Sequence, residues 1–212
     1  MIQNLEQLAL FLNNVPSLTC CVWDFDGVIA DTEPLQAKSY QLLLKQRGIE
    51  VSPDFFQDLI GNSEEKIWKD LKSQHQLKNP IQQLSLTRHE ILLPLLEHIE
   101  PNWFVAPVLK EIRNLGGISV IVSAGGPKLI SRCLAIWGIT DQFAAAAALG
   151  PGGQRADKEQ HILKYITENE SVLLIEDSEH YLNLAKQTAA LTLGVSHSLN
   201  KLNDESADSL IA

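Results

Sequence analysis

Four short apolar runs stand out along the chain: LTCCVWDFD at 18–26, ISVIVSA at 118–124, VLLIED at 172–177 and LTLGV at 191–195. Each is partly β-branched or aromatic and bounded by polar residues, so they read as buried parallel strands. The segments between them carry apolar positions at helical spacing, which supplies crossover helices and predicts a doubly wound α/β layout. The run FAAAAALGPGG at 143–153 is ambiguous, because alanine favours helix. Its place in the order argues for a short third strand, with Gly-Pro-Gly-Gly after it as a loop. Near the start, Leu5, Leu8 and Leu12 predict an amphipathic helix packed on the domain.

The gap between the first two strands is far longer than one crossover helix requires. It holds four helical segments: PLQAKSYQLLLKQRG, SPDFFQDLI, SEEKIWKDLKSQHQ, and a long one from about Pro80 to Ile99. In the first, Leu35, Ala37, Leu42 and Leu43 make an apolar face, and Gly48 is a C-terminal stop. So much helix in one connection predicts an inserted α-helical cap domain over 34–104. The α/β core is then 1–33 and 105–212. Gly61-Asn62-Ser63 reads as an N-cap before Glu64 or as a substrate-facing loop.

Composition narrows the function classes. At 45% apolar and 20% charged, the 212 residues can bury a sizeable core. Seventeen basic against 26 acidic side chains give a formal charge of -9, with no electrostatic footprint for nucleic acid or an anionic membrane. A small anionic substrate therefore needs a local positive feature such as a metal ion. Cys20 and Cys21 are strand neighbours and Cys133 is odd, which suggests no disulfide framework. A reduced, cytoplasmic protein is expected, with a monomer as default.

Candidate chemistry gathers at the strand ends. Side chains two apart on a strand point the same way, so Asp24 and Asp26 are expected to share a face while Phe25 points opposite. They sit at a carboxyl end, where open parallel sheets bind ligands. Taken alone, they read rather as a solvated loop, with Gly27 turning and Asp31 capping a helix, since turns and caps explain isolated aspartates more often than catalysis does. Glu176 and Asp177 end another strand. If the two strands are neighbours, four carboxylates converge, and an oxygen-binding divalent cation, Mg2+, resolves the repulsion. Ser123, Gly125, Gly126 and Pro127 open a helix, either as an anion site or as an ordinary strand-to-helix turn. The six histidines show neither a zinc spacing nor a triad partner.

With these residues in order, the chain resembles the haloacid dehalogenase-like phosphohydrolase superfamily from about residue 19 to the end. The carriers are Asp24-Phe25-Asp26-Gly27-Val28, extended through Asp31-Thr32-Glu33, then Ser123, Lys158 and Glu176-Asp177-Ser178. Ala207 to Ile211 looks like the family's closing segment. The helical insert resembles the group that includes phosphoglycolate phosphatase-like and β-phosphoglucomutase-like enzymes. The fold implied is a Rossmann-like core with a helical cap. Three positions depart from the family's usual residues: Ala124 stands where Asn is frequent, Glu159 where Pro is frequent, and Tyr181 where Gly is common.

The resemblance implies that Asp24 is the nucleophile, forming an aspartyl phosphate that water hydrolyses. Asp26 would protonate the leaving oxygen and then activate water. Ser123 and the Ala124 backbone amide, with Lys158, would hold the phosphoryl oxygens. Asp24, the Asp26 carbonyl, Asp177 and Glu176 would hold Mg2+. Lys158 is otherwise a surface lysine before KEQHILKYI, with Arg155 or Lys164 as substitutes, and His180 reads as a rim or helix-start residue. Cap candidates for substrate contact are Lys66, Lys69, Arg88 and His89, although such residues on amphipathic helices are usually solvated. The expected substrate is a small phosphorylated metabolite. The alternatives are a sugar-phosphate mutase, disfavoured by Gln36 where that branch has His, and a non-catalytic phosphate-ligand or partner-binding domain motivated by the three departures. A dehalogenase is disfavoured by Asp26, and a phospho-accepting receiver by chain length.

Overall fold

The computed structural model describes residues 1–15, 17–52, 64–150, 155–196, 202 and 206–211. The expected helix over 52–60 lies almost wholly outside these, as do Gly61-Asn62-Ser63 and the loop over 151–153. The chain divides into two compact units, Met1–Asp31 with Glu100–Ala212, and Thr32–Ile99.

The first unit is built on six parallel strands: β1 (Cys20–Trp23), β2 (Ile118–Ser123), β3 (Ala145–Ala148), β4 (Val172–Glu176), β5 (Leu191–Val195) and β6 (Ser209–Ile211). Their spatial order is β3-β2-β1-β4-β5-β6, so the chain runs outward from β1 on one side and then returns to its other side with β4. This is the doubly wound arrangement, with its switch point at β1. The register pairs Trp23 with Ile121 on β2 and with Ile175 on β4. β1 is shorter than the apolar run suggested and ends at Trp23, so Asp24 to Asp26 lie just beyond it. The alanine run is a strand. Five alanines are too few for a stable helix, and the edge of β2 offers four of them ladder partners from Val120 to Ser123.

Alternation along the strands separates two faces. Cys20 and Val22, Val120 and Val122, and Val172 and Leu174 form one apolar cluster with Ile162 of α7 (Arg155–Glu168) and with Tyr181 and Ala185 of α8 (Glu179–Lys186). Beyond β1, Phe25 stacks on Trp137 at the end of α6 (Pro127–Ile136), with centroids 6.0 Å apart. Trp23 meets Phe143 edge-on. α5 (Val105–Asn114) packs near β2, and α1 (Leu5–Asn13) packs on α5. The Asn4 side chain caps α1 by accepting the Gln7 N–H. The three cysteines are free and buried.

β6 lies in the segment expected to close the family's fold. Asp208 Oδ2 accepts both the Thr192 N–H, at 2.7 Å, and its hydroxyl, at 2.6 Å, which ties β6 to β5.

The second unit is helical among its described residues: α2 (Glu33–Lys45), α3 (Glu64–His75) and α4 (Ile81–Leu95), then a 3-10 turn at Leu96–His98. Pro34 sits in the first turn of α2, where its missing N–H costs nothing. Tyr40, Leu43 and Leu44 of α2, Ile67, Trp68 and Leu71 of α3, and Leu84 of α4 make its core.

Candidate active site

The face that α7 and α8 cover continues past the strand ends. Cys20 and Val22 are followed in the same alternation by Asp24, and Val172 and Leu174 by Glu176. The Asp24 N–H still donates to the Ile175 carbonyl at 3.0 Å, so the parallel ladder sets the two carboxylates side by side. Both are buried, at 7% and 0% exposure. Two adjacent ionised carboxylates away from water are costly unless something offsets their charge.

Lys158, in the first turn of α7, supplies that offset. Its Nζ lies 2.9 Å from Asp24 Oδ2 and 2.9 Å from Glu176 Oε2, and the residue is only 3% exposed. Of the two substitutes considered from sequence, Lys164 is exposed, and the Arg155 side chain lies outside the described structure. Backbone donors complete the arrangement. Asp24 Oδ1 accepts the Phe25 N–H at 2.7 Å. Glu176 Oε1 accepts the N–H groups of Asp177 and Ser178, each at 3.2 Å. Burial disfavours the Lys158 charge, but Asp24 and Glu176 outweigh it and hold the ammonium above the usual lysine range. Burial, and then the Asp24 charge, push Glu176 well above the usual carboxylate range, partly opposed by Lys158.

Asp177 joins this cluster. Asp24, Glu176 and Asp177 each offer a carboxylate oxygen, and the three oxygens lie within 4.8 Å of one another. The donors are all oxygen and the carboxylates outnumber the one ammonium, so the set fits a hard divalent cation such as Mg2+.

Asp26 and Ser123 meet at Gly125. A Cβ at Gly125 would stand 2.8 Å from Asp26 Oδ2 and 3.3 Å from Ser123 Oγ, so only a glycine backbone passes there without displacing the carboxylate. Ser123 Oγ accepts the Gly125 N–H at 3.1 Å. Ser123 is buried and Ala124 is exposed. Gly27 follows with φ +79°, a left-handed conformation that glycine adopts without strain, and its N–H closes the turn on the Ala30 carbonyl.

In the helical unit the four cap candidates separate. Lys66 and Lys69 are exposed and pair along α3 with Asp70 and Glu65. Arg88 corrects the expectation of a solvated side chain, since it is 3% exposed. Its Nε lies 2.9 Å from Glu64 Oε1, its Nη1 reaches Gln36 Oε1 and Ser39 Oγ, and its guanidinium stands 4.5 Å from the Tyr40 ring centroid. Glu64 also accepts the Trp68 indole N–H and lies 3.6 Å from His89 Nε2. The sequence offers no signal for this knot, because Arg88 and Glu64 are on different helices 24 positions apart.

Two further contacts escaped the sequence reading. The Lys158 Nζ lies 4.3 Å from the centroid of the Tyr181 ring, and His180 Nε2 pairs with Glu159 Oε1 at 2.7 Å. His180 is the second residue of α8, the helix start the sequence allowed for, and this pairing ties it to α7.

The sequence profile described as haloacid dehalogenase-like hydrolase matches residues 21–195, most of the chain. No curated protein matches by sequence at a significant level. Solved structures share the fold. CbbY from Rhodobacter sphaeroides, in complex with phosphate, aligns with a TM-score of 0.75 and 16% identity over 91% of this chain and 93% of its own. β-Phosphoglucomutase from Clostridium difficile aligns at 0.69 and 16% identity over 92% and 91%. A predicted phosphoglycolate phosphatase from Haemophilus somnus aligns at 0.69 and 16% identity over 92% and 94%. At these identities the structural likeness speaks to the fold, while the profile match speaks to the family. The chain belongs to the haloacid dehalogenase-like hydrolases.

Proposed function

We propose that the protein is a Mg2+-dependent phosphatase that hydrolyses a small phosphate monoester through an aspartyl phosphate on Asp24. The observation that carries the reading is the buried pairing of Lys158 with Asp24 and Glu176, 2.9 Å to each, at the carboxyl end of the sheet's switch point. An Asp24 oxygen attacks phosphorus, and the bond from phosphorus to the leaving oxygen breaks as Asp26 gives that oxygen a proton. Water then attacks the aspartyl phosphate while Asp26 takes its proton. The Asp24–phosphorus bond breaks, and the free carboxylate and inorganic phosphate result. The Lys158 ammonium and the Ser123 hydroxyl, with the Ala124 backbone amide, hold the phosphoryl oxygens. Asp24, the Asp26 carbonyl, Asp177 and Glu176 would hold Mg2+, which would supply positive charge to offset that of the carboxylates and the phosphoryl group.

Two features favour hydrolysis over the competing readings. Gln36, at the position where the mutase branch has His, carries a neutral amide and hydrogen-bonds Arg88. Ala124, Glu159 and Tyr181, which motivated a non-catalytic domain, leave Asp24, Lys158 and Glu176 in mutual contact. We read Thr32–Ile99 as the cap. CbbY bound to phosphate supports a small phosphorylated substrate. Borohydride trapping during turnover of an aryl phosphate tests the intermediate. Reduction of an acyl phosphate would convert Asp24 to homoserine in the peptide spanning 22–33, and an unmodified peptide at full turnover would contradict it.

A further inference from the structure

The first turns of α7 and α8 are cross-linked twice, side by side. Lys158 of α7 places its ammonium 4.3 Å from the Tyr181 ring centroid, and the next residue, Glu159, pairs with His180 at 2.7 Å. The His180 and Tyr181 rings also touch edge-on, with centroids 5.0 Å apart. Tyr181 is 9% exposed and backed by the apolar cluster that holds Ile162 and Ala185, so its ring is a fixed wall. The ammonium thus has carboxylate oxygens on two sides and a π face on a third. A long lysine side chain has several rotamers, and a buried one that serves a reacting centre must be held in one of them.

We propose that Tyr181, braced by the Glu159–His180 pair, is a positioning residue that holds Lys158 against Asp24 and Glu176. The inference rests on the phosphatase reading for its effect on rate, but not for its geometry. The ring face attracts the cation and blocks the rotamers that would carry it away from the carboxylates. Glu159–His180 keeps the two helix starts in register, so that the ring stays beneath the ammonium.

The test combines two readouts on wild type, Tyr181→Leu and Tyr181→Phe. The first is kcat and KM for an aryl phosphate with Mg2+. The second is the NMR signal of the Lys158 Cε protons, identified by its loss in Lys158→Arg, which a ring face shifts upfield. The expected result is that Tyr181→Leu lowers kcat by about three- to thirtyfold at unchanged KM. The same variant returns the Lys158 signal to the ordinary lysine region, and Tyr181→Phe, which keeps the ring, restores both. Glu159→Gln and His180→Asn should each lower kcat, and the double variant should cost no more than the larger single one. Equal losses in the Leu and Phe variants, or an unshifted Lys158 signal in wild type, would overturn the proposal. If wild type releases no phosphate and Asp24→Asn changes nothing, the phosphatase reading fails. The ring-current shift alone then decides the clasp: its loss in Tyr181→Leu and retention in Tyr181→Phe support it, and any other pattern overturns it.

Discussion

One ammonium, Lys158, stands between two buried carboxylates, and its removal leaves them with backbone N–H donors but no adjacent positive side chain to offset their charge. Lys158→Met should therefore destabilise the fold by about 3–5 kcal/mol at pH 8. The pH dependence follows from Glu176, whose folded pKa is raised by burial and by Asp24. A carboxyl raised in the folded state binds its proton more tightly there than in the unfolded chain, so its ionisation costs stability as pH rises. Without Lys158 that cost grows, and chemical denaturation should show a smaller penalty at pH 5 than at pH 8; equal penalties would contradict the account. Lys158 itself, raised by its partners, keeps its charge across this window. Gly125 makes a different demand. A methyl group there would fall 2.8 Å from Asp26 Oδ2, a side-chain end that can swing aside. Gly125→Ala should thus change thermal stability little but misplace Asp26, the proposed proton donor, lowering kcat by roughly ten- to a hundredfold. A large loss of stability with normal turnover of the folded fraction would contradict this.

Among the elements, β5 and β6 show how a three-residue strand is kept. Thr192 is fully buried, and Asp208 Oδ2 takes both its N–H and its hydroxyl. Asp208→Ala leaves those donors without their acceptor and should cost about 1–3 kcal/mol in denaturant titration; an unchanged midpoint would contradict it. Runs such as VLLIED and ISVIVSA were legible because both faces of a parallel strand are buried, which writes a continuous apolar stretch ending where the chain turns polar. Asp24, Ser123 and Glu176 could be placed at strand ends from the apolar runs they follow, whereas Lys158 was singled out only by the family resemblance, since a lysine in a helix's first turn is otherwise an ordinary surface residue. β6 is too short to carry a periodicity, and the strand at Ala145–Ala148 opposes its own propensity and exists by pairing with β2. Arg88 with Glu64 and His180 with Glu159 could not be read from the chain, because spacings of 24 and 21 residues become contacts only once helices pack.

For the molecule as a whole, the doubly wound order places β1 and β4 side by side, and that neighbourhood turns separated acidic motifs into one site. Among the described residues, no helix is long and apolar enough to cross a membrane. The net charge of -9 would repel an anionic substrate, so on the proposed reading Lys158 together with the proposed divalent cation would have to overcome the long-range field. Catalysis is accordingly expected to vanish when either the proposed metal or the proposed nucleophile, Asp24, is removed, whatever the substrate. The decisive measurement is phosphate release from an aryl phosphate and a panel of sugar and short-acid phosphates, with Mg2+ or with EDTA, for wild type and Asp24→Asn. The account predicts release by wild type with Mg2+, and a loss of about a thousandfold or more with EDTA or in Asp24→Asn. Release that persists in Asp24→Asn, or none by the folded wild-type protein anywhere on the panel, would contradict it.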